Sequence, residues 1–380
     1  MKKILFLSNT ANFSKFNIPY MRWFKEQGWQ VDYCSPGEET VPDCDNQYSI
    51  SIARSPFSLK NIKAYFELKK ILRDNDYDIL HCHTPMGGVI GRLAASDLRK
   101  KHKIKVIYTA HGFHFYKGAP LFNWLFYYPV ERLLAHKTDV LITINKEDYE
   151  RAKNFKAGEV VYVPGVGIDI SKLETQLFDS KMKQNDSVVK TTQEQKLKNE
   201  LGIPLDAPVL LSVGEINKNK NHKIIIEALP DMPDFWYVIC GRGFLAEKYR
   251  KLAENLGVGN RLVIAGYRND ISAFYNMADI FVFPSLREGL PVALMEAMVY
   301  GLPIVCSGIR GNIDLIENGK TGEMVENSPS EFTAAILKLK NDPKLRDFYT
   351  KNAVEAVKHF DLASVELEMR KIYLREMTSG

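Results

Sequence analysis

Along the chain, short apolar runs rich in Val, Ile and Leu recur, separated by longer stretches with helix-like periodicity. The runs at 3–8, 30–35, 78–84, 105–111, 139–145 and 160–164 each read as a strand. Their hydrophobicity is nearly unbroken rather than alternating, the pattern of strands covered by helices on both faces in a parallel sheet. Between them, residues 16–27, 59–74, 88–102 and 146–155 carry helical periodicity, so the order is βαβα. From about 167 to 200 the sequence turns polar and shows no strand, although 194–201 has helical character; this stretch is the predicted linker. Six more strands follow, at 208–213, 236–240, 261–265, 279–284, 303–306 and 321–325. Two successive series of this kind predict an α/β protein of two doubly wound, Rossmann-like domains, 1–165 and 166–361, facing each other across a cleft. Ligands would bind at the carboxyl ends of the strands.

A length of 380 residues suits two domains that each bury a core. The net charge of +5 is too small for a nucleic-acid binder's footprint, and no run of five like charges occurs. That charge is uneven. Residues 1–165 hold 24 Lys+Arg against 17 Asp+Glu, and the remainder 27 against 29; the basic first half reads either as solvated helix faces or as a surface that meets something anionic, such as a phospholipid leaflet or a lipid diphosphate. The opening MKKILFLSN has too few apolar residues for the core of a signal peptide, about 7 to 15 long. The most apolar window, 121–130, contains Asn123 and Pro129 and falls short of the roughly 20 residues of a spanning helix. Five cysteines, an odd number with no C-x-x-C spacing, argue against a disulfide framework and a structural zinc site. A cytoplasmic location is the expectation.

Three loops at strand ends carry candidate chemistry. In DIFVFPSLREGLPVALMEAM a strand ends near Pro284, a loop follows, and Pro291 stands where its fixed φ suits a helical first turn. Backbone N–H groups of Gly289 and Leu290 at such a helix start would face a phosphate. Glu288 and Glu296 beside it make sense if they hold hydroxyls, as of a sugar or ribose, because a carboxylate accepts from two neighbouring OH groups. In SVGEINKNKNH, Gly214 lets the backbone turn and Lys220 would reach a diphosphate. In CGRGFLAEKY, Gly241, Gly243 and Ala246 satisfy the letters of a dinucleotide fingerprint, but they follow the domain's second strand, and no acidic residue ends the next one. This segment therefore reads as a nucleotide-facing turn and not an NAD site.

In the first domain, LHCHTPMGG and YTAHGFHFYKG bring His83, Thr84, Gly87, His111 and His114 to two strand ends, with His111 the stronger candidate for the cleft. No His or Cys spacing matches a metal pattern. Asp76 and Asp78 spell D-x-D but precede their strand, at the wrong end for a ligand. Neither a metal nor another cofactor is expected.

With these residues assembled, the chain resembles the retaining glycosyltransferases of family 4, with the GT-B fold, and among them the bacterial capsule and exopolysaccharide enzymes. The resemblance spans the whole length and rests on E-x7-E at Glu288 to Glu296, the G-R-L-x-x-x-K pattern at Gly214 to Lys220, and AHGFHF. It implies a transferase that moves a hexose or N-acetylhexosamine from a nucleoside diphosphate sugar, a UDP-sugar in the first instance, to a lipid-linked or saccharide acceptor. By position, Glu288, Gly289 and Leu290 would hold the donor sugar and diphosphate, Lys220 the diphosphate, and Glu296 the ribose. Arg242, Gly243, Tyr267 and Arg268 would border the base, and His111 would line the reaction centre. Glu215 stands where the family has Arg, leaving Asn217, Lys218 or Asn219 to compensate, and the loop SNTANFSKF lacks the family's Gly-Gly pair. Residues 362–380 would form the family's last helix, which crosses back to the first domain. The basic first domain adds two readings for Phe122, Trp124, Phe126 and Tyr127: contact with an anionic membrane at the inner face of the plasma membrane, or core packing. The alternatives are a nucleotide-sugar 2-epimerase on the same architecture and a non-catalytic sugar-nucleotide binder.

Overall fold

The computed structural model describes residues 1–182 and 193–378, which divide into two units, 1–167 with the chain from Ala363 onward, and 168–362. In the first unit seven strands, β1 (Lys3–Leu7), β2 (Gln30–Ser35), β3 (Asn46–Ser49), β4 (Ile79–His83), β5 (Lys105–Ala110), β6 (Val140–Thr143) and β7 (Glu159–Tyr162), form one sheet in the order β3-β2-β1-β4-β5-β6-β7. Every pairing is parallel. Six of these strands are the apolar runs. The seventh, β3, was not expected, because its sequence NQYS is polar and half-exposed at the sheet edge. What holds it is the buried Asp32 of β2, whose Oδ1 accepts from the backbone N–H of Asn46 at 3.2 Å and from its side-chain amide at 3.0 Å.

The pattern at 88–102 resolves into two helices, Pro85–Ala94 and Ser96–Lys100. Leu5, Leu7, Leu80 and Cys82 pack on one face of the sheet against Ala64 and Leu68. Ile4, Phe6, Ile79 and Ile107 pack on the other, against Tyr20, Phe24, Val365 and Tyr373. The last two belong to the helix Leu362–Thr378, which thus completes the core of the first unit although it follows the second in sequence. Asp76 and Asp78 have structural tasks. Asp76 ends the helix Lys60–Asn75 in the left-handed conformation, and Asp78 accepts the N–H of Lys3 at 2.7 Å.

A charged pair lies inside this unit. Arg92 is fully buried, donates to Glu131 Oε2 at 2.8 Å and to the Gly88 carbonyl at 2.8 Å, and stacks 4.0 Å from the Tyr108 ring centroid. Arg92→Ala strands the Glu131 carboxylate without its partner, and the expected loss is about 3 to 5 kcal/mol. Urea unfolding should show that loss, and should show most of it recovered in Arg92→Met combined with Glu131→Leu, since apolar replacement of both partners removes the stranded charge.

The second unit carries β8 (Val209–Val213), β9 (Trp236–Cys240), β10 (Leu262–Gly266), β11 (Ile280–Phe283), β12 (Ile304–Ser307) and β13 (Glu323–Val325), all parallel, in the order β10-β9-β8-β11-β12-β13. Much of the predicted linker belongs to this unit as helix, at Ile170–Met182 and Gln193–Glu200; its residues 183–192 lie outside the described residues. Ile170 is buried and Leu173, Gln176 and Leu177 half-buried, a helical face three and seven apart that lies on the helices Ile271–Met277 and Val292–Val299. Tyr300 donates to Gln176 Oε1 at 3.3 Å. The polar majority of that stretch masked this single stripe.

In both sheets the strand order reverses once, between β1 and β4 and between β8 and β11. Loops leaving the carboxyl ends of such a pair diverge to opposite faces and leave a crevice. No described helix is long and apolar enough to cross a membrane.

Candidate active site

At the β8/β11 reversal the loop after β8 meets the loop after β11. Lys220 Nζ lies 2.8 Å from Glu288 Oε1, and 4.6 Å from the centroid of Phe283, the last residue of β11. Both side chains are mostly enclosed, at 19% and 13% exposure. Two hydrogen bonds join the loops: the Leu286 backbone N–H donates to the Asn219 carbonyl and the Asn219 side-chain amide to the Arg287 carbonyl, both at 2.8 Å. Asn217 Oδ1 accepts the N–H of Lys220 at 3.0 Å. Asn217 and Asn219 thus shape the loop, while Lys218 and Glu215 are exposed.

The cation that sequence reasoning missed is Arg310. It follows β12, is 5% exposed, and donates from Nε to the Glu288 carbonyl at 3.1 Å, bracing the segment that bears Gly289 and Leu290. A charged residue in SGIRGN carries no motif, and only strand order puts it beside β11. The helix Val292–Val299 starts one residue later than expected. Pro291 is its cap, at φ −81° and ψ 117°, and no side chain of that residue closes the helix start. Glu296 Oε2 accepts from the Tyr275 hydroxyl at 2.7 Å. Burial, reinforced by Glu296, holds the Tyr275 phenol protonated by raising its pKa well above the usual value, so Tyr275 orients this carboxylate as a donor.

Gly241 and Gly243 have a packing reason for lacking side chains. A Cβ on Gly241 would fall 1.8 Å from the Gly214 carbonyl oxygen, and one on Gly243 2.2 Å from that of Ile216. The Gly214 N–H donates to the Cys240 carbonyl at 3.0 Å and the Ile216 N–H to the Arg242 carbonyl at 2.9 Å. This G-x-G is the seam between two loops, with the Arg242 side chain exposed at its edge. Beyond β10, Tyr267 is exposed, and Arg268 grips Asp270 through two bonds of 2.8 and 2.7 Å and reaches Glu200 at 3.3 Å.

In the first unit, the site residues gather at the ends of β4 and β5. His83 Nδ1 lies 3.2 Å from His111 Nε2. Phe13, from the loop without a Gly-Gly pair, covers both rings at centroid distances of 5.2 and 4.6 Å. Thr84 holds φ at +66°, a strained conformation for a β-branched residue, and its Oγ1 donates to the His83 carbonyl and accepts the Asn9 N–H at 3.2 Å. Gly87 lies beside that hydroxyl. His114 stacks on Tyr127 at 4.6 Å. Of the aromatics at 122–127, Phe122 is exposed, while Trp124, Phe126 and Tyr127 are half-buried. His81 is fully buried between Thr109, at 2.8 Å, and Tyr373 of the last helix, at 2.7 Å.

His81, His83 and His111 are held neutral. Burial pushes His111 down to about 4 and His81, with the His111 charge adding, to about 3; it lowers His83 well below the usual value. In the second unit, burial and then Lys220 lower His222 to about 3. An unfolded chain binds these protons below about pH 6.5 and the folded chain does not, so stability is full above that pH and falls as pH drops toward the folded values. Each fully buried ring should cost about 2 kcal/mol between pH 6.5 and 5. Urea unfolding at both pH values tests this, with His222→Gln reducing the pH-dependent difference by one ring's share.

Family models match both units: residues 193–356 fit "Glycosyl transferases group 1" and residues 3–145 fit "Glycosyl transferase 4-like". The chain is 38% identical to a Bacillus subtilis protein that carries the provisional name glycosyltransferase EpsD, over 98% of this chain and 96% of that one. It is 29% identical to an Escherichia coli protein named UDP-Gal:alpha-D-GlcNAc-diphosphoundecaprenol alpha-1,3-galactosyltransferase, covering 86% and 81% of the two. Among solved structures it is similar in fold to Anabaena HepE in complex with UDP and glucose, with a TM-score of 0.77 and 18% identity over 99% of this chain and 100% of that one.

Proposed function

The chain belongs to the group 1 glycosyltransferases and is a transferase of the GT-B fold, and on that premise we propose that it moves a hexose or N-acetylhexosamine from a UDP-sugar to a lipid-linked or saccharide acceptor, with retention, in building cell-surface polysaccharide. The observation that carries this reading is the Lys220–Glu288 pair at the strand-order reversal, beside an uncapped helix start. The names of the E. coli relative and of the HepE complex favour UDP as the nucleotide and a lipid diphosphate in the acceptor.

Transfer loosens the glycosidic C–O bond toward an oxocarbenium-like state while charge grows on the departing diphosphate. Lys220, the amides at the start of the helix Val292–Val299 and the Arg310-braced loop meet that charge in place, so little reorganisation is needed as the bond breaks. No metal ion or cofactor is assigned a part. Glu288 holds donor-sugar hydroxyls, and Glu296, oriented by Tyr275, holds the ribose. The acceptor attacks from the leaving group's own face, which retains configuration without a carboxylate nucleophile. Neutral His111 lines the acceptor side, oriented through its bond to His83. Purified protein should leave UDP-glucose, UDP-galactose and UDP-N-acetylglucosamine unchanged when each is alone, and should move label from one of them into a bacterial lipid extract. Conversion of a UDP-sugar to its epimer without acceptor overturns the reading.

A further inference from the structure

A cavity of about 390 Å³ opens at the carboxyl edge of the first sheet, where residues following β1, β4 and β5 converge. Its walls are mostly apolar, with Met86 and Val89 from the helix Pro85–Ala94, Phe126 and Val130 from the helix Leu121–Ala135, and Phe113 and Phe115, while Asn9 and His114 add polar groups at the sheet edge. The carboxylate that lines it, Glu131, is already neutralised by Arg92. A hydroxyl-rich sugar buried here would lose its hydrogen bonds to water with few replacements, whereas a hydrocarbon loses none.

The cavity does not end there. Pro56, Met86 and Val89 also line a groove of about 660 Å³ that follows the helix Lys60–Asn75. Along that groove Phe57, Leu59, Ile62 and Phe66 are exposed, in a stretch that also carries Lys60, Lys63 and Lys70. Through the shared Pro56, Met86 and Val89, apolar wall therefore continues from the sheet edge to the outer surface, as suits a chain more than a compact ligand. On its wall Arg54 is exposed and forms no ion pair among the described residues. A guanidinium is matched to phosphate oxygens in charge and fork geometry.

We propose that cavity and groove hold the hydrocarbon chain of a lipid diphosphate, with the anionic head at Arg54 and the chain passing under Val89 toward Phe66. The site rests on the acceptor reading above and deepens it: the acceptor is recognised by its lipid as well as by its sugar.

Calorimetric titration of the full chain, with UDP in excess to fill the nucleotide site, tests this using farnesyl diphosphate, isopentenyl diphosphate and inorganic diphosphate as probes. Farnesyl diphosphate should bind at least 30-fold more tightly than isopentenyl diphosphate. Val89→Trp and Val130→Trp, which plug the cavity from opposite walls, should each erase that preference while the melting curve stays intact. Arg54→Ala, at an exposed position where folding is not at stake, should weaken farnesyl diphosphate at least 10-fold and leave farnesol unchanged. Equal binding of the five- and fifteen-carbon probes overturns the proposal, as does an unaltered affinity in Arg54→Ala. UDP-sugar transfer to a soluble saccharide with no chain-length preference removes the lipid site and leaves the transferase reading standing. Chain-length preference in a protein that binds no UDP-sugar does the reverse.

Discussion

Lys220→Ala is expected to lower transfer about 100- to 1,000-fold, the loss seen when one preorganised donor to a developing charge is removed. In the resting protein its ammonium is bonded to Glu288 and rests over Phe283, so truncation also leaves an enclosed carboxylate without a countercharge, beside the site proposed for the diphosphate. Donor affinity and kcat should therefore fall together. Glu288→Ala should cost as much for a different reason: it frees Lys220 but removes the proposed acceptor of donor-sugar hydroxyls. Because the two act as a unit, the double variant should be little worse than either single one. UDP titration and kcat/KM for both, with melting curves as the folding control, decide the matter. Turnover like that of the unaltered enzyme in either single variant sinks the site assignment.

Gly241→Ala is the second large effect. A Cβ placed 1.8 Å from the Gly214 carbonyl oxygen meets backbone, which has no rotamer to give, so the loop that carries Lys220 must move. The expected cost is about 3 kcal/mol, at the upper end for overpacking, with loss of UDP binding. Gly257→Ala is the contrast: its φ is +70° and nothing lies within 4 Å of the new carbon, so only conformational strain of about 1 kcal/mol is expected, and UDP affinity should hold. The pair of variants also separates two meanings of G-x-G. A phosphate-approach glycine would lose nucleotide affinity at unchanged stability, whereas a seam glycine loses both.

The strands were legible because a parallel strand covered on both faces has no polar positions to spare, and twelve of the thirteen among the described residues announce themselves as apolar runs. Edge strand β3 and the helix Ile170–Met182 were hidden because each is held by one contact line, a buried aspartate in one case and a stripe of four residues in the other. The candidate site divides in the same way. Lys220 was readable within a single loop, and Glu288 and Glu296 from the spacing across one loop and the helix that follows it. Arg310, Tyr275 and the histidine pairing were not, since each depends on a neighbour many residues away.

The sequence by itself determined two parallel α/β units, the loops that carry the chemistry and the family they resemble, because hydrophobic period and loop motifs are local properties. Only the tertiary structure decided that Lys220 closes on Glu288, that Gly241 is bare to let two loops touch, and that a basic, aromatic first unit contains an apolar passage with Arg54 on its wall. The reason is the order of strands in the sheet. It brings the loop after β8 against the loop after β11, 68 residues apart, and no local pattern encodes a crossover.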